Sequence, residues 1–67
     1  MKENIKFLIK IIEFCEEREG YYCIESDGNG KNELSVILGN QEFTIDTKDT
    51  EGLKHIWNKI EKYWINN

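Results

Sequence analysis

The side chains of this 67-residue chain that are most able to do chemistry are carboxylates gathered in its middle. Residues 21–51 hold seven Asp and Glu side chains against two lysines, a net charge of −5, whereas the whole chain carries −4. Carboxylates on a rigid element pair with Arg and Lys side chains through charge-assisted hydrogen bonds. The chemistry that this pattern predicts is therefore recognition of a basic protein surface.

Residues suited to catalysis or metal binding do not form a recognisable group. Cys15 and Cys23 are not spaced as a C-x-x-C pair, and the single histidine, His55, lies beside the apolar stripe of a predicted helix. The segment 27–33 lacks the oxygen ligand and the glycine that a calcium loop has at its fifth and sixth positions. We therefore expect no catalytic residues, no enzyme activity, no cofactor and no metal site.

Composition indicates one small domain, covering residues 1–67, in the cytoplasm of a bacterial host cell. No apolar run approaches the roughly 20 residues of a membrane span, and the first residues do not resemble a signal peptide. Direct binding to nucleic acid or to a membrane is not expected, because phosphate contacts need a basic surface. The abundance of Lys, Ile and Asn is typical of AT-rich coding DNA, as in a low-GC bacterium or its phage.

The elements that must position the carboxylates follow from hydrophobic periodicity. Apolar residues recur at helical spacing at both ends of the chain, and they alternate as in strands between them. The predicted helices are 4–18 and 50–64, and the predicted strands are 21–26, 33–38 and 41–46. The fold class is α+β, a three-stranded antiparallel sheet with an N-terminal and a C-terminal helix packed on one face (α-β-β-β-α).

Strand alternation divides the side chains of the sheet into a covered face and an open face. The predicted core is Ile5, Leu8, Ile12, Cys15, Tyr22, Ile24, Leu34, Val36, Leu38, Phe43, Ile45, Leu53, Ile56, Trp57 and Ile60. The open face is predicted to carry Tyr21, Cys23, Glu25, Ser35, Ile37, Glu42, Thr44 and Asp46. A surface that mixes acidic and apolar side chains is typical of protein interfaces.

The first helix carries more apolar side chains than one helix face needs. Phe7, Ile11 and Phe14 form a second row beside the predicted core row. Either they fill the core against the last helix, or they stay exposed and mediate self-association, for example as a homodimer, or anchor a target protein.

Acidic residues also end the first helix, where they oppose the helix dipole. We expect Glu16, Glu17 and Glu19 to join Glu25, Asp27 and Glu33 in one continuous negative surface. The full set of predicted partner-binding residues is Glu16, Glu17, Glu19, Tyr21, Glu25, Asp27, Glu33, Ile37, Glu42 and Asp46.

The chain resembles the small acidic anti-CRISPR proteins of phages, in particular the type II-A inhibitors with this helix–three-strand–helix order. The matching features are the opening Ile/Lys helix, Tyr21-Tyr22, the strand from Glu42 to Ile45, and the amphipathic last helix ending in Trp64. The chain departs from the family in having no further acidic sequence after that helix.

The resemblance implies inhibition by mimicry, in which carboxylates occupy the place of DNA phosphates in the recognition cleft of a nuclease. Candidate residues for that role are Glu25, Asp27, Glu33, Glu42 and Asp46. The sequence therefore predicts a phage or mobile-element inhibitor that binds a basic host protein, most plausibly a CRISPR effector. The alternative is a small structural or adaptor protein that self-associates through its first helix.

Overall fold

The predicted order of elements is confirmed by the structure, a computed structural model that describes residues 2–18 and 20–66. Helix α1 spans Glu3–Glu17 and is followed by strands β1 (Tyr21–Ser26), β2 (Asn32–Leu38) and β3 (Gln41–Asp46). Helix α2 spans Thr50–Ile60 and continues as a π-helical turn over Glu61–Ile65. The chain is thus an α+β fold in the order α-β-β-β-α.

Turn chemistry sets the connections between the strands. Gly39 has a φ of 62° in the turn between β2 and β3, a conformation that costs glycine little. Between β1 and β2, the Asp27 Oδ1 atom accepts hydrogen bonds from the backbone N–H groups of Asn29 (2.7 Å) and Lys31 (3.2 Å). This Asx turn closes the hairpin loop between β1 and β2.

The strands form one antiparallel sheet in the order β1-β2-β3. Val36, in the central strand, lies opposite Tyr22 on one side and Phe43 on the other. Paired residues project from the same face, so the alternate residues of all three strands share a side of the sheet. Leu34, Val36 and Leu38 are buried on the side that both helices cover.

The core lies between this covered face and the two helices. Its buried members are Ile11, Phe14, Cys15, Leu34, Val36, Leu38, Leu53, Ile56 and Ile60, and Phe7, Leu8, Tyr22, Phe43, Ile45, Trp57 and Trp64 pack around them. Gly20 lies between α1 and β1, where its backbone packs closely against Leu38. A Cβ at this position would lie 2.6 Å from Leu38 Cδ2, so the site favours glycine for lack of space, and its φ is not positive.

The side of α1 that faces the core is shifted from the predicted one, although Cys15 is buried and Leu8 packs against the core as predicted. Ile11 is fully buried and Phe14 is 4% exposed, whereas Ile5, expected in the core, is 36% exposed. The cause is α2, whose Trp57 ring meets the Phe14 ring edge-on with centroids 6.4 Å apart. Aromatic pairing across the two helices turns the second apolar row of α1 inward.

Two further corrections concern the edges of the core. Ile24, predicted to be buried, is 45% exposed near the end of the edge strand β1. The last helix does not continue in α form to residue 64, because Asn66 donates its backbone N–H to the Glu61 carbonyl (2.7 Å) in a π turn. In this turn Trp64 stays half-buried and Tyr63 is 49% exposed.

Candidate protein-binding surface

Three carboxylates lie side by side across the uncovered face of the sheet. Glu33 in the central strand is opposite Glu25 on β1 and opposite Asp46 on β3. Neighbouring strands are about 4.8 Å apart, so these residues form a line of about 10 Å, which we call the carboxylate row. The Asp46 carboxylate is held by the backbone N–H of Lys48, which donates to Oδ1 at 2.8 Å.

The carboxylate row is not neutralised within the part of the chain that the structure describes. The side chains of Glu25 and Glu33 are exposed and make neither a hydrogen bond nor an ion pair to any described residue. Lys48, the nearest lysine in sequence to Asp46, donates its ammonium to the Gly30 carbonyl at 3.3 Å. Like charges directly opposite each other destabilise a sheet, so this arrangement opposes folding and favours a cationic partner.

Two more rows complete the open face, which we define as Tyr21, Cys23, Glu25, Glu33, Ser35, Ile37, Glu42, Thr44 and Asp46. The middle row holds the small side chains of Cys23, Ser35 and Thr44. The last row joins Tyr21, Ile37 and Glu42, and there the Tyr21 side chain is 60% exposed and that of Ile37 is 38% exposed. The open face therefore offers acids at both ends and apolar surface at one of them.

The hairpin loop extends the acidic end of the face. A shallow recess of about 300 Å³ is lined by Glu25, Ser26, Asp27, Lys31 and Glu33. The hydrogen bond from the Asn29 backbone is the main cause that lowers the pKa of Asp27 below its ordinary value. Asp27 is thus an anion near neutral pH, but its carboxylate is already engaged in the Asx turn.

Several cations of the two helices lie over aromatic rings on the covered side of the sheet. Lys10 lies over the Trp57 ring (5.8 Å), Arg18 over the Phe14 ring (5.5 Å), and Lys59 over the Phe43 ring (5.8 Å). Such contacts hold positive charge near the helices by cation–π attraction. No Lys or Arg belongs to the open face as defined above, although Lys31 lines the recess at its acidic end beside Glu25 and Glu33.

The predicted partner-binding residues separate into two groups. Tyr21, Glu25, Glu33, Ile37, Glu42 and Asp46 all lie on the open face, and Asp27 lies in the adjoining loop. Glu16 instead accepts a hydrogen bond from the Tyr22 hydroxyl (3.0 Å), on the helix side of the sheet. This contact and the negative charge of Glu16 raise the pKa of Tyr22.

The continuous negative surface that we expected is therefore not formed. Helix α1 runs back along the sheet, with Gly20 beside Leu38 at one end and the Asn4 amide donating to the Thr47 carbonyl (2.9 Å) at the other. Glu16 and Glu17 consequently lie at the opposite end of β1 from Glu25. Glu19, the third acid of that group, lies outside the described residues.

The surface predicted for self-association is also corrected. Ile11 and Phe14 are buried within the chain, and Phe7 is half-buried against the same core. These residues fill the space between α1 and α2, which is the first of the two alternatives. The exposed apolar side chains of α1 are instead Ile5 and Ile9, at 36% and 39%.

Sequence reasoning missed the alignment of the three carboxylates, although a signal for it exists. The Gly39-Asn40 turn places Leu38 opposite Gln41, and counting back along both strands places Glu33 opposite Asp46. The same count from the loop places Glu25 opposite Glu33. Alternation alone assigns a face to each residue, whereas turn length also assigns its neighbour.

The remaining reactive groups do not converge on this surface. Cys15 is buried, which raises the pKa of its thiol, and His55 is exposed on α2.

Among residues 2–18 and 20–66, no three His, Cys, Asp or Glu side chains are grouped so that they could hold a metal ion. Over the same residues, no helix has both the length and the apolar character needed to cross a membrane.

Comparison of the chain with models of known protein families, with curated proteins and with solved structures gave no match.

Proposed function

We propose that this chain is a binding protein that uses its open face to capture a basic protein surface, without catalysing a reaction. The observation that carries the proposal is the carboxylate row. The side chains of Glu25 and Glu33 make no hydrogen bond or ion pair with a described residue. A native sheet that places like charges opposite each other loses stability. Residues that violate a local preference in this way are typical of functional sites.

The spacing of the charges supports mimicry of nucleic acid. One strand of duplex DNA carries a phosphate charge per about 3.4 Å of helix axis, so about four charges span 10 Å. The carboxylate row presents three negative charges over a span of about 10 Å. A cleft whose Arg and Lys side chains are placed for phosphates would therefore meet a similar density of negative charge.

The row of Tyr21, Ile37 and Glu42 at the other end of the open face would contribute binding affinity through its apolar side chains. Charged contacts mainly increase the association rate and the specificity, whereas buried aromatic side chains contribute much of the affinity of an interface. Tyr21 and Ile37 provide exposed apolar surface beside Glu42. We assign the carboxylate row to attraction and orientation, and Tyr21 to anchoring.

The target that we propose is a nuclease that reads DNA, specifically a type II-A CRISPR effector in the cytoplasm of a bacterial host. The resemblance of the chain to phage anti-CRISPR proteins selects this target among basic proteins, and the acidic open face is compatible with it. On this proposal the chain is a phage or mobile-element inhibitor that competes with target DNA.

A cleavage assay with the guide-loaded effector tests the proposal. The test variant carries Glu25→Lys, Glu33→Lys and Glu42→Lys, three positions on the open face whose carboxylates have no hydrogen bond to a described residue. The matched control carries Glu13→Lys, Glu17→Lys and Glu61→Lys on the helix side. Each set changes the net charge from −4 to +2, so only the location of the charge differs.

We expect the wild type and the control to inhibit cleavage and the open-face variant to lose inhibition. Circular dichroism of both variants verifies that the fold is retained. If the open-face variant is folded and still inhibits as the wild type does, the acidic sheet is not the binding surface. If the wild type does not inhibit at all, the assignment to this class of nuclease is wrong.

A further inference from the structure

Exposed apolar side chains gather along the free edge of strand β1. Ile24 is 45% exposed and Tyr21 is 60% exposed, although both belong to this strand. The apolar residues of the other edge strand, Phe43 and Ile45, are half-buried against the core. The two edges of the sheet therefore differ, and only β1 leaves large apolar side chains uncovered.

Helix α1 adds a second line of apolar surface beside this edge. Ile5, Ile9 and Ile12 recur at helical spacing with Glu16, so they share one side of the helix. Glu16 contacts the Tyr22 hydroxyl, which places that side of α1 next to β1. Ile9 is 39% exposed on that side of the helix, whereas Ile5 lines a recess with Asn32, Thr47 and Lys48.

Strand β1 lacks the basic residues, the proline and the bulge that often protect an edge from pairing, and Glu25 is its one charged residue. Its sequence contains no lysine, arginine or proline, and its register with β2 runs unbroken from Tyr21 to Ser26 without a bulge. Natural edge strands are commonly guarded by such residues or bulges, because unpaired backbone groups recruit another strand. The absence of this protection in β1 favours pairing with a further strand.

The pattern of backbone hydrogen bonds determines which residues of β1 can pair outward. Asp27 donates its N–H to the Lys31 carbonyl (3.1 Å), so residues 27 and 31 form a hydrogen-bonded pair next to the ladder. Hydrogen-bonded and non-hydrogen-bonded pairs alternate along an antiparallel ladder. The backbone groups of Tyr22, Ile24 and Ser26 therefore point away from β2, toward the free edge.

We infer that the free edge of β1 pairs with the same edge of a second copy of this chain, in antiparallel orientation. In the register that we propose, Tyr22 of each copy lies opposite Ile24 of the other, and the two Cys23 residues face each other across the twofold axis. This register joins outward-pointing backbone groups and makes one six-stranded sheet. It also covers the exposed Ile24 side chain with an aromatic ring.

The charges on β1 favour this register. The pairing places Glu25 of one copy opposite Tyr21 of the other, so no two carboxylates of β1 oppose each other. The two carboxylate rows then lie toward opposite ends of the shared sheet and stay accessible. A parallel pairing in register would instead bring the two Glu25 side chains together, which is unfavourable.

A test of self-association uses the full chain with two variants. Ile24→Lys adds a charge at the edge, and Ile65→Lys is the matched control, because Ile65 is equally exposed at 44% but belongs to the π turn. In sedimentation equilibrium we expect the wild type and Ile65→Lys to reach twice the monomer mass, and Ile24→Lys to remain monomeric. A monomeric wild type at millimolar concentration, or an Ile24→Lys variant that still dimerises, would overturn the inference.

Oxidative cross-linking tests the register. Residues in a non-hydrogen-bonded pair have Cα atoms about 4.5 Å apart, within the range that a disulfide spans. Diamide takes two electrons and two protons from two thiols, so it should join the Cys23 residues of a dimer by an S–S bond. We expect a covalent dimer from the wild type and none from Cys23→Ser. A wild-type dimer that resists cross-linking at Cys23 would refute this register.

The inference goes beyond the proposed function and can fail separately from it. Ile24→Lys leaves the carboxylate row unchanged, so it removes dimerisation without removing the acidic surface. A monomeric variant that still inhibits cleavage would support the proposed function and show that dimerisation is not needed for it.

Discussion

Replacing Glu33 by Gln should stabilise the fold, because Glu33 is the central member of the carboxylate row. It is flanked by Glu25 and Asp46 on neighbouring strands, and its own carboxylate has no hydrogen bond to a described residue. The substitution keeps the size and shape of the side chain and removes one charge. What it changes is the repulsion with the two flanking carboxylates.

The magnitude follows from Coulomb's law in water. Two unit charges about 6 Å apart repel by about 0.7 kcal/mol, and a Debye length of about 8 Å at physiological salt reduces this to about 0.3 kcal/mol. Two neighbours therefore destabilise the fold by about 0.6 kcal/mol. Glu33→Gln removes this repulsion and should raise the free energy of unfolding by the same amount. For a domain of this size, the melting temperature should then rise by about 2–5 °C.

Urea unfolding of the wild type and Glu33→Gln at several salt concentrations measures the effect. At 1 M salt the Debye length falls to about 3 Å, so the gain in unfolding free energy should shrink to about 0.2 kcal/mol. Glu42→Gln is the matched control, because Glu42 lies on the same face opposite Ile37, where it meets no carboxylate. A Glu33→Gln variant that is no more stable than Glu42→Gln would refute the view that the row is strained.

Three other predictions concern the scaffold. Gly52→Ala should destabilise the fold by up to about 2 kcal/mol in thermal unfolding, because the new Cβ would overlap Ile45 Cδ1. Overpacking of about 1–3 kcal/mol then exceeds a helix-propensity gain of about 1 kcal/mol. Leu34→Ala, at a fully buried site, should cost about 2–5 kcal/mol in urea unfolding, and a loss under 1 kcal/mol would contradict its central place in the core. Because the folded state lowers the pKa of Asp27, its contribution to stability is present above the ordinary value of 3.8 and lost as the pH falls below it. In acid titrations Asp27→Asn should remove this component, and an unchanged acid profile would contradict the role of the Asx turn.

The order of elements was predictable because each signal is local. Alternation in 33–38 and 41–46 identifies two strands, and the glycines between strands mark turns that favour positive φ. The same alternation correctly assigned Tyr21, Glu25, Ile37, Glu42 and Asp46 to the open face. These assignments depend only on the period of two along a strand.

The orientation of α1 was not predictable, because two apolar rows compete for one core. Both rows recur at helical spacing, Ile5 with Ile12 and Phe7 with Ile11 and Phe14, so periodicity gives no reason to prefer either row. The choice depends on Trp57, a residue more than 40 positions away whose ring packs against Phe14. The separation of Glu16 from the carboxylate row depends likewise on the direction in which α1 returns along the sheet.

The exposure of Ile24 and the π turn after Ile60 share a different cause. Strand alternation correctly places Ile24 on the helix side, but it does not tell how far the helices extend over the edge strand. The Glu61–Asn66 hydrogen bond widens the last turn by one residue, and no sequence period marks such a change. Both features lie at the edge of a small core, where tertiary packing and not the local sequence pattern decides which side chains are covered.

If the open face takes the place of DNA on a basic protein, as we propose, the chain and DNA must compete for the same site. The measurement is binding of the labelled chain to the guide-loaded CRISPR effector in the presence of increasing amounts of target duplex. We predict that duplex and chain exclude each other, and that Glu25→Lys with Glu33→Lys removes the binding of the chain. A stable ternary complex that contains effector, duplex and chain together would contradict this account.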